Sequence, residues 1–201
     1  MRLANFLLLP LCLFYLNSCA QEIPNREAQI GSALKAAPKV DREAATVLGY
    51  DANGKIVTLR EGTNHMICLA DNPNQPGFSV AAYHEDLEPF MARGRQLRAE
   101  GKDRAQIFEI REKEARDGTL KMPEKGATLH ILSGKEATYD VATDQLNNAT
   151  YRYVVYLPFA TEMSTGLALE PAFPGAPWIM DPGTHKAHIM ISPPNPAELE
   201  P

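Results

Sequence analysis

The chain has 201 residues, of which 44% are hydrophobic and 22% are charged, and its formal net charge is -5. This acidic balance argues against nucleic-acid binding, which requires a basic surface patch, and against electrostatic docking on anionic lipid. The length is sufficient for one domain with a hydrophobic core. We therefore expect a single folded domain that binds no nucleic acid.

The first predicted element is an export signal at residues 1–18. Arg2 provides a short positive start, and Leu3–Leu16 is almost wholly apolar but too short to span a bilayer as a lasting helix. The run ends in Leu-Asn-Ser-Cys, which resembles the lipobox of bacterial lipoproteins. That resemblance implies cleavage before Cys19 and acylation of its side chain. Cleavage after Ala20 is the alternative, and it would give a soluble periplasmic or secreted protein.

The predicted partner is therefore the membrane, contacted through the N-terminal acyl anchor. Ala20, directly after the cysteine, favours the outer membrane by analogy with bacterial lipoproteins, with the domain facing the periplasm. Residues 19–41 are predicted to be lipid anchor and tether. Within them, Arg26–Ala37 forms either a short helix that ends at Pro38 or a disordered segment.

Strands open the predicted domain, which covers residues 42–192. Apolar and β-branched residues predict strands at 44–50, 55–60, 65–70 and 78–83. Asn53-Gly54 lies between the first two, and this pair is typical of a hairpin because both residues tolerate positive φ. We expect the first three strands to form an antiparallel meander.

Two helices follow these strands. The first contains Leu87 and Phe90 at helical spacing, with Asp86 as its predicted cap. Asp103 and Gln106 match a capping box for the second helix. Further strands are predicted at 127–132, 151–159, 178–180 and 187–192, and a mobile tail at 193–201. This order predicts an α+β fold, a mainly antiparallel sheet with two helices packed on one face.

The histidines are the main candidates for chemistry. His185 and His188 follow a Pro-Gly turn and precede an apolar run, which favours a strand in which residues three apart point to opposite sides. One interpretation is that one of the two is hydrogen-bonded within a turn and the other is packed in the sheet. The other is a metal site formed by His65, His84 and His188, with His185 or Asp181 as a further ligand.

Trp178 is the only tryptophan of the chain, and it begins a short predicted strand. With its apolar neighbours it forms either an apolar pocket or a lid over the sheet edge. In the first case, the ligand-binding residues are Trp178, His185 and His188.

Cysteine usage leaves one unpaired thiol. Cys12 belongs to the signal and Cys19 is the predicted lipidation site, so Cys68 is alone in the mature chain. A buried cysteine that packs as a small hydrophobe in a strand is favoured over a reactive or intermolecular thiol.

Two segments, 61–73 and 177–191, resemble a group of exported bacterial proteins of unknown function. The first contains Gly-x-Asn-x-x-x-Cys-Leu-x-Asp, and the second ends in a strand that reads His-Ile-Met-Ile. Such proteins often carry a second cysteine near the position of Ala82, where this chain has alanine, so no disulfide is implied for Cys68. The resemblance implies an exported domain and no known activity.

No motif of the chain specifies a reaction or a cofactor, because it contains no nucleophile elbow, phosphate-binding glycine loop, paired-cysteine motif or haem attachment site. The first hypothesis is an exported envelope lipoprotein that binds a ligand or a partner. The alternative is a metal-binding protein or metal-dependent hydrolase that uses the histidines. A third hypothesis is a purely structural or assembly role.

Overall fold

A computed structural model describes residues 23–194 of the protein. The predicted signal at 1–18, the predicted lipidation site Cys19 and the tail from residue 195 onward lie outside the described residues. Between residues 23 and 194, the protein contains no helix that is both long and apolar enough to cross a membrane.

The described part of the chain contains four helices and ten strands. The helices are α1 Arg26–Leu34, α2 Glu88–Ala99, α3 Arg104–Arg116 and α4 Glu162–Thr165. The strands are β1 Thr46–Tyr50, β2 Ile56–Arg60, β3 Met66–Leu69, β4 Phe78–His84, β5 Ala127–Gly134, β6 Thr138–Asp140, β7 Gln145–Asn147, β8 Thr150–Tyr156, β9 Trp178–Met180 and β10 His188–Ile191. Eight strands form one sheet in the order β2-β1-β3-β4-β5-β8-β10-β9, and β6 pairs with β7.

The pairing of β1 departs from the predicted meander. This strand is antiparallel to β2 but parallel to β3. After β2 the chain crosses the start of β1, where the backbone nitrogen of Thr63 donates to the carbonyl oxygen of Ala44 at 2.8 Å. Gly62 lies at this crossing, where an added Cβ would collide with the backbone nitrogen of Thr46. Because the chain crosses here, β3 lies on the opposite side of β1 from β2, and the predicted antiparallel meander is wrong.

The predicted α+β class is confirmed in its coarse form. The sheet is mixed, because one pairing is parallel, whereas the other six pairings along the large sheet in residues 23–194 are antiparallel.

Of the two predicted helix caps, one is confirmed and one is wrong. The backbone nitrogen of Gln106 donates to Asp103 Oδ1 at 2.9 Å, and the Gln106 side chain accepts from the Asp103 backbone at 3.1 Å, so the capping box is present. Asp86 does not cap α2, which begins two residues later after a short turn.

The sheet separates two hydrophobic clusters. Val80 and Ala82 of β4 belong to a cluster with Ala33 of α1, and we call this side the α1 face. Tyr83 of β4 belongs to the other cluster, with Phe90 of α2, and we call that side the α2 face. Successive side chains of a strand point to opposite sides, so β4 supplies both clusters.

Helix α1 lies within the predicted tether, residues 19–41. Ala33 is completely buried against the sheet. The Gln29 side chain accepts from the backbone nitrogen of Tyr50 at 2.7 Å and donates to its carbonyl oxygen at 3.0 Å, and so joins the helix to β1. Helix α1 therefore packs on the sheet of the domain, whose start is predicted at residue 42. The alanine-rich composition reflects close packing of a helix on a sheet.

Candidate functional site

A cavity of about 620 Å³ opens on the α2 face between α3 and the sheet. Six basic residues line it, and no aspartate or glutamate does. They are Arg98, Lys102, Arg104, Arg111, Arg152 and Lys186. We call this space the basic cavity, and it concentrates positive charge within a protein whose formal net charge is -5.

The floor of the basic cavity is formed by alternate residues of adjacent strands. Leu129 of β5 lies opposite Val154 of β8, which lies opposite Met190 of β10. Ile131 and Arg152 form the next row on the same side. Since residues directly opposite in antiparallel strands share one face, these side chains form a mainly apolar floor with a cation at one end.

The wall is one side of α3. Arg104, Ile107, Phe108 and Arg111 all line the cavity, and their spacing of three or four residues places them on one side of the helix. Ile107 is buried, while Arg104 is exposed at the start of the helix. This side of α3 therefore combines apolar contact with two guanidinium groups.

Most of the six cations have no acidic partner. Lys186 pairs with Asp181 at 3.0 Å. Arg111 donates from Nη1 to the carbonyl oxygen of Phe90 at 3.1 Å, and its guanidinium carbon lies 3.9 Å from the centre of the Phe90 ring. As far as residues 23–194 are described, the other four form no ion pair with a carboxylate. The charge of the cavity is thus left largely uncompensated.

Arg111 is the cation that is most removed from water. Burial lowers the pKa of its guanidinium to about 10. Its Nε atom is buried and has no hydrogen-bond partner among the described residues. A buried guanidinium is costly unless it is paired, so an anion near Arg111 would be favoured by the protein.

His188 lines the basic cavity as the first residue of β10. Its Nδ1 atom lies 2.7 Å from the carbonyl oxygen of Lys186, so Nδ1 carries the proton and donates. Burial lowers the pKa of the ring, which is therefore neutral at pH 7. In this tautomer, Nε2 is an acceptor. The predicted ligand-binding role of His188 thus coincides with a position in the cavity lining.

His185 does not line the cavity but lies behind it, completely buried. Its backbone nitrogen and its Nδ1 atom lie 2.7 Å and 2.6 Å from Glu112 Oε2. The ring packs against Phe90 and Phe108, with centroid distances of 5.8 Å and 5.0 Å. Burial lowers its pKa, so the neutral ring donates from Nδ1 to the carboxylate. His185 connects the turn before β10 to α3 and so positions the wall of the cavity.

Trp178 is half-buried on β9, directly opposite Met190. It shares a face with His188, because Met180 two residues later is opposite that histidine. The side chain nevertheless does not belong to the lining of the basic cavity. Of the three predicted ligand-binding residues, only His188 lines this cavity.

The predicted metal ligands are divided between the two faces of the sheet. The rings of His65 and His84 are close, with centroids 4.9 Å apart. His84 follows Tyr83 on β4 and points to the α1 face, whereas His188 lies opposite Tyr156 on the α2 face. Among the described residues, no group of three or more histidine, cysteine, aspartate or glutamate side chains is arranged to hold a metal ion. The predicted three-histidine cluster does not assemble, because strand alternation separates its members.

A second cavity of about 570 Å³ lies on the same face of the sheet. Its lining combines the apolar residues Tyr50, Ile56, Leu69 and Ala81 with polar and charged ones, and we call it the apolar cavity after its floor. Gln75 and Arg98 line both cavities, so the two spaces share a wall.

No family model, curated protein or solved structure matches this chain. The candidate site therefore depends on the geometry and charge of its own residues. Sequence reasoning missed the basic cavity, because its cations are spread from Arg98 to Lys186. The one local signal is the side of α3 where Arg104 and Arg111 lie seven residues apart, with Ile107 and Phe108 between them.

Proposed function

We propose that this protein is an exported envelope lipoprotein whose domain binds an anionic small molecule in the basic cavity. The observation that carries the proposal is a cavity of about 620 Å³ that is lined by six basic residues and by no carboxylate. The export signal and the cysteine that follows it support the location. The absence of a motif for a reaction favours binding as the role of the cavity.

The charge of the cavity favours a ligand with phosphate or carboxylate groups. Guanidinium groups match the geometry of these anions and bind them through paired hydrogen bonds. Arg98, Arg104 and Arg152 are exposed and therefore accessible to a ligand from solvent. A cleft lined by one sign of charge also raises the local concentration of the opposite ion. Ligand binding would relieve the repulsion among these cations.

We infer further that α2 and α3 act together as a cover over one face of the sheet. Support comes from the contact between the rings of Phe90 and Tyr156, whose centroids are 5.3 Å apart. It also comes from the ion pair between Arg93 and Glu114 at 2.6 Å, which connects the two helices. A rigid cover of this kind would keep the arginines of the cavity in place in the absence of ligand, which lowers the cost of ordering them on binding.

Anion binding is tested by calorimetric titration with inorganic phosphate and pyrophosphate. We expect the double substitution Arg104→Gln and Arg152→Gln to weaken binding by at least about tenfold, because each charge-assisted hydrogen bond contributes about 1.5–3 kcal/mol. Lys125→Gln, an exposed basic residue outside the cavity lining, is the matched control and should leave affinity unchanged. Equal affinities for the double variant and the control would refute the proposal.

The lipid anchor is tested separately. Cys19→Ala should abolish metabolic labelling with a radioactive fatty acid. Cys12→Ala and Cys68→Ala should leave labelling intact, because only Cys19 is the proposed acylation site. Labelling that persists in Cys19→Ala would refute the anchor without affecting the proposed ligand site. Fractionation of the cell envelope then tests the outer-membrane location.

A further inference from the structure

We propose that the ligand is amphipathic, with an anionic group in the basic cavity and an unbranched apolar chain in the apolar cavity. This inference rests on the proposed anion-binding function and adds the class of ligand. The key observation is that the floors of the two cavities are one continuous surface of the sheet.

The continuity follows from strand register. Leu69 of β3 lies opposite Ala81 of β4, Ala81 lies opposite Ile131 of β5, and Ile131 lies opposite Arg152 of β8. The first two residues line the apolar cavity and the last two line the basic cavity. Adjacent strands are about 4.8 Å apart, so this row spans about 14 Å. It consists of three apolar side chains followed by a cation.

Charged residues also line the apolar cavity, namely Lys55, Asp71, Arg95 and the shared Arg98. The charge of Arg95 is compensated. Arg95 Nη2 lies 2.5 Å from Glu88 Oε1, and its Nη1 donates to the hydroxyl oxygen of Tyr83 at 3.1 Å. The Tyr83 hydroxyl in turn donates to Glu88 Oε2 at 2.6 Å. Arg95 is thus held by its own partners, in contrast to Arg152 at the other end of the row. Lys55 and Asp71 have opposite formal charges, so the two ends of the continuous floor differ in net charge as well as in polarity.

Arg98 lies where the two cavities share a wall, and it forms no ion pair with a described carboxylate. An anionic group beside Arg98 and Arg152 would leave its chain over Ile131, Ala81 and Leu69. The matching chemistry is an alkyl or acyl chain that ends in phosphate or carboxylate. Such a molecule could be a membrane lipid or a free amphiphile, and both present the same two features to the site.

The test is a titration of the full exported chain with phosphate, butyl phosphate, hexyl phosphate and octyl phosphate, each below its micellar concentration. Complete burial of one methylene strengthens binding by about fourfold, so octyl phosphate should bind at least about tenfold more tightly than butyl phosphate. Ala81→Leu places a larger side chain on the floor of the apolar cavity and should remove this chain-length dependence. Ala105→Leu, at an exposed position of α3 outside both linings, is the matched control.

A second variant covers the case in which Ala81→Leu disturbs the sheet. Ala99→Phe changes an exposed residue at the end of α2 that also lines the apolar cavity, and it should remove the same dependence. Equal affinities for phosphate and octyl phosphate in the wild type would overturn the amphipathic ligand and leave anion binding standing. A chain-length dependence that survives in both variants would also overturn it. Failure of every anion to bind would instead refute the proposed function itself. Comparing the affinity for octyl phosphate with the affinity for vesicles of anionic phospholipid distinguishes a free amphiphile from a membrane lipid.

Discussion

Replacing Glu112 by alanine should strongly destabilise the protein, because its carboxylate holds a completely buried histidine. Glu112 Oε2 accepts from the backbone nitrogen of His185 at 2.7 Å and from its Nδ1 at 2.6 Å. The other carboxylate oxygen pairs with Arg116 at 2.5 Å. The substitution therefore removes the acceptor of two buried donors and one ion pair at the surface.

The magnitude follows from these three contacts. Each buried donor left without a partner costs about 1–3 kcal/mol. Glu112 retains 17% exposure, so water can enter and reduce that cost, and the pair with the 57%-exposed Arg116 adds little. We expect a loss of about 2–4 kcal/mol in the free energy of unfolding. With a typical denaturant slope of about 2 kcal/mol/M, this loss moves the urea midpoint down by about 1–2 M.

The assay is urea unfolding at pH 7.5, followed by circular dichroism and by the fluorescence of Trp178. Glu109→Ala is the matched control, because Glu109 is exposed on the same helix and forms no described ion pair. Its free energy of unfolding should change by no more than about 0.5 kcal/mol. If Glu112→Ala and Glu109→Ala unfold at the same urea concentration, the buried contact between Glu112 and His185 does not stabilise the fold and our reasoning is wrong.

Three further predictions concern the two buried histidines, Cys68 and Gly62. Burial lowers the pKa of His185 and of His188 below the usual value of 6.5. Near and below pH 6.5 the unfolded chain therefore binds more protons than the folded protein does. The free energy of unfolding, measured by urea titration, should fall when the pH is lowered from 7.5 to 5.5, and an increase would contradict this prediction. Burial raises the pKa of Cys68 to about 12, so a disulfide reagent at pH 8 should react only after unfolding, and immediate reaction of the native protein would oppose that view. Gly62→Ala should cost about 1–3 kcal/mol in urea unfolding, because its Cβ meets the backbone of Thr46; an unchanged midpoint would argue against this close crossing.

Features that depend on neighbours in sequence could be predicted without the structure. The capping box of Asp103 and Gln106 satisfies backbone groups within one helical turn. The Asn53-Gly54 turn joins β1 and β2 as an antiparallel pair, with Gly54 at a φ of 72°. Trp178–Met180 was also predicted with its observed bounds. In each case the determining contacts span only a few residues.

Pairing and packing over longer distances could not be predicted in this way. The parallel pairing of β1 with β3 depends on a crossing at Gly62, and a run of apolar residues is compatible with either edge of β1. The sequence around helix Arg26–Leu34 is polar and alanine-rich, and only the contact of this helix with the sheet assigns it to the domain. His84 and His188 are both strand residues, but their faces depend on register.

The sequence by itself determined where most strands and helices form, because alternation, helical spacing and capping are short-range properties of the chain. It is also the sole basis of the predicted export signal at residues 1–18 and of the predicted lipidation site Cys19, which depend on the linear chain. Only the tertiary structure decided which side chains meet. Arg98, Arg104, Arg111 and Arg152 line one cavity because the end of α2, one side of α3 and strand β8 surround the same space. That arrangement depends on the burial of the whole core, and no local pattern of these four arginines encodes it.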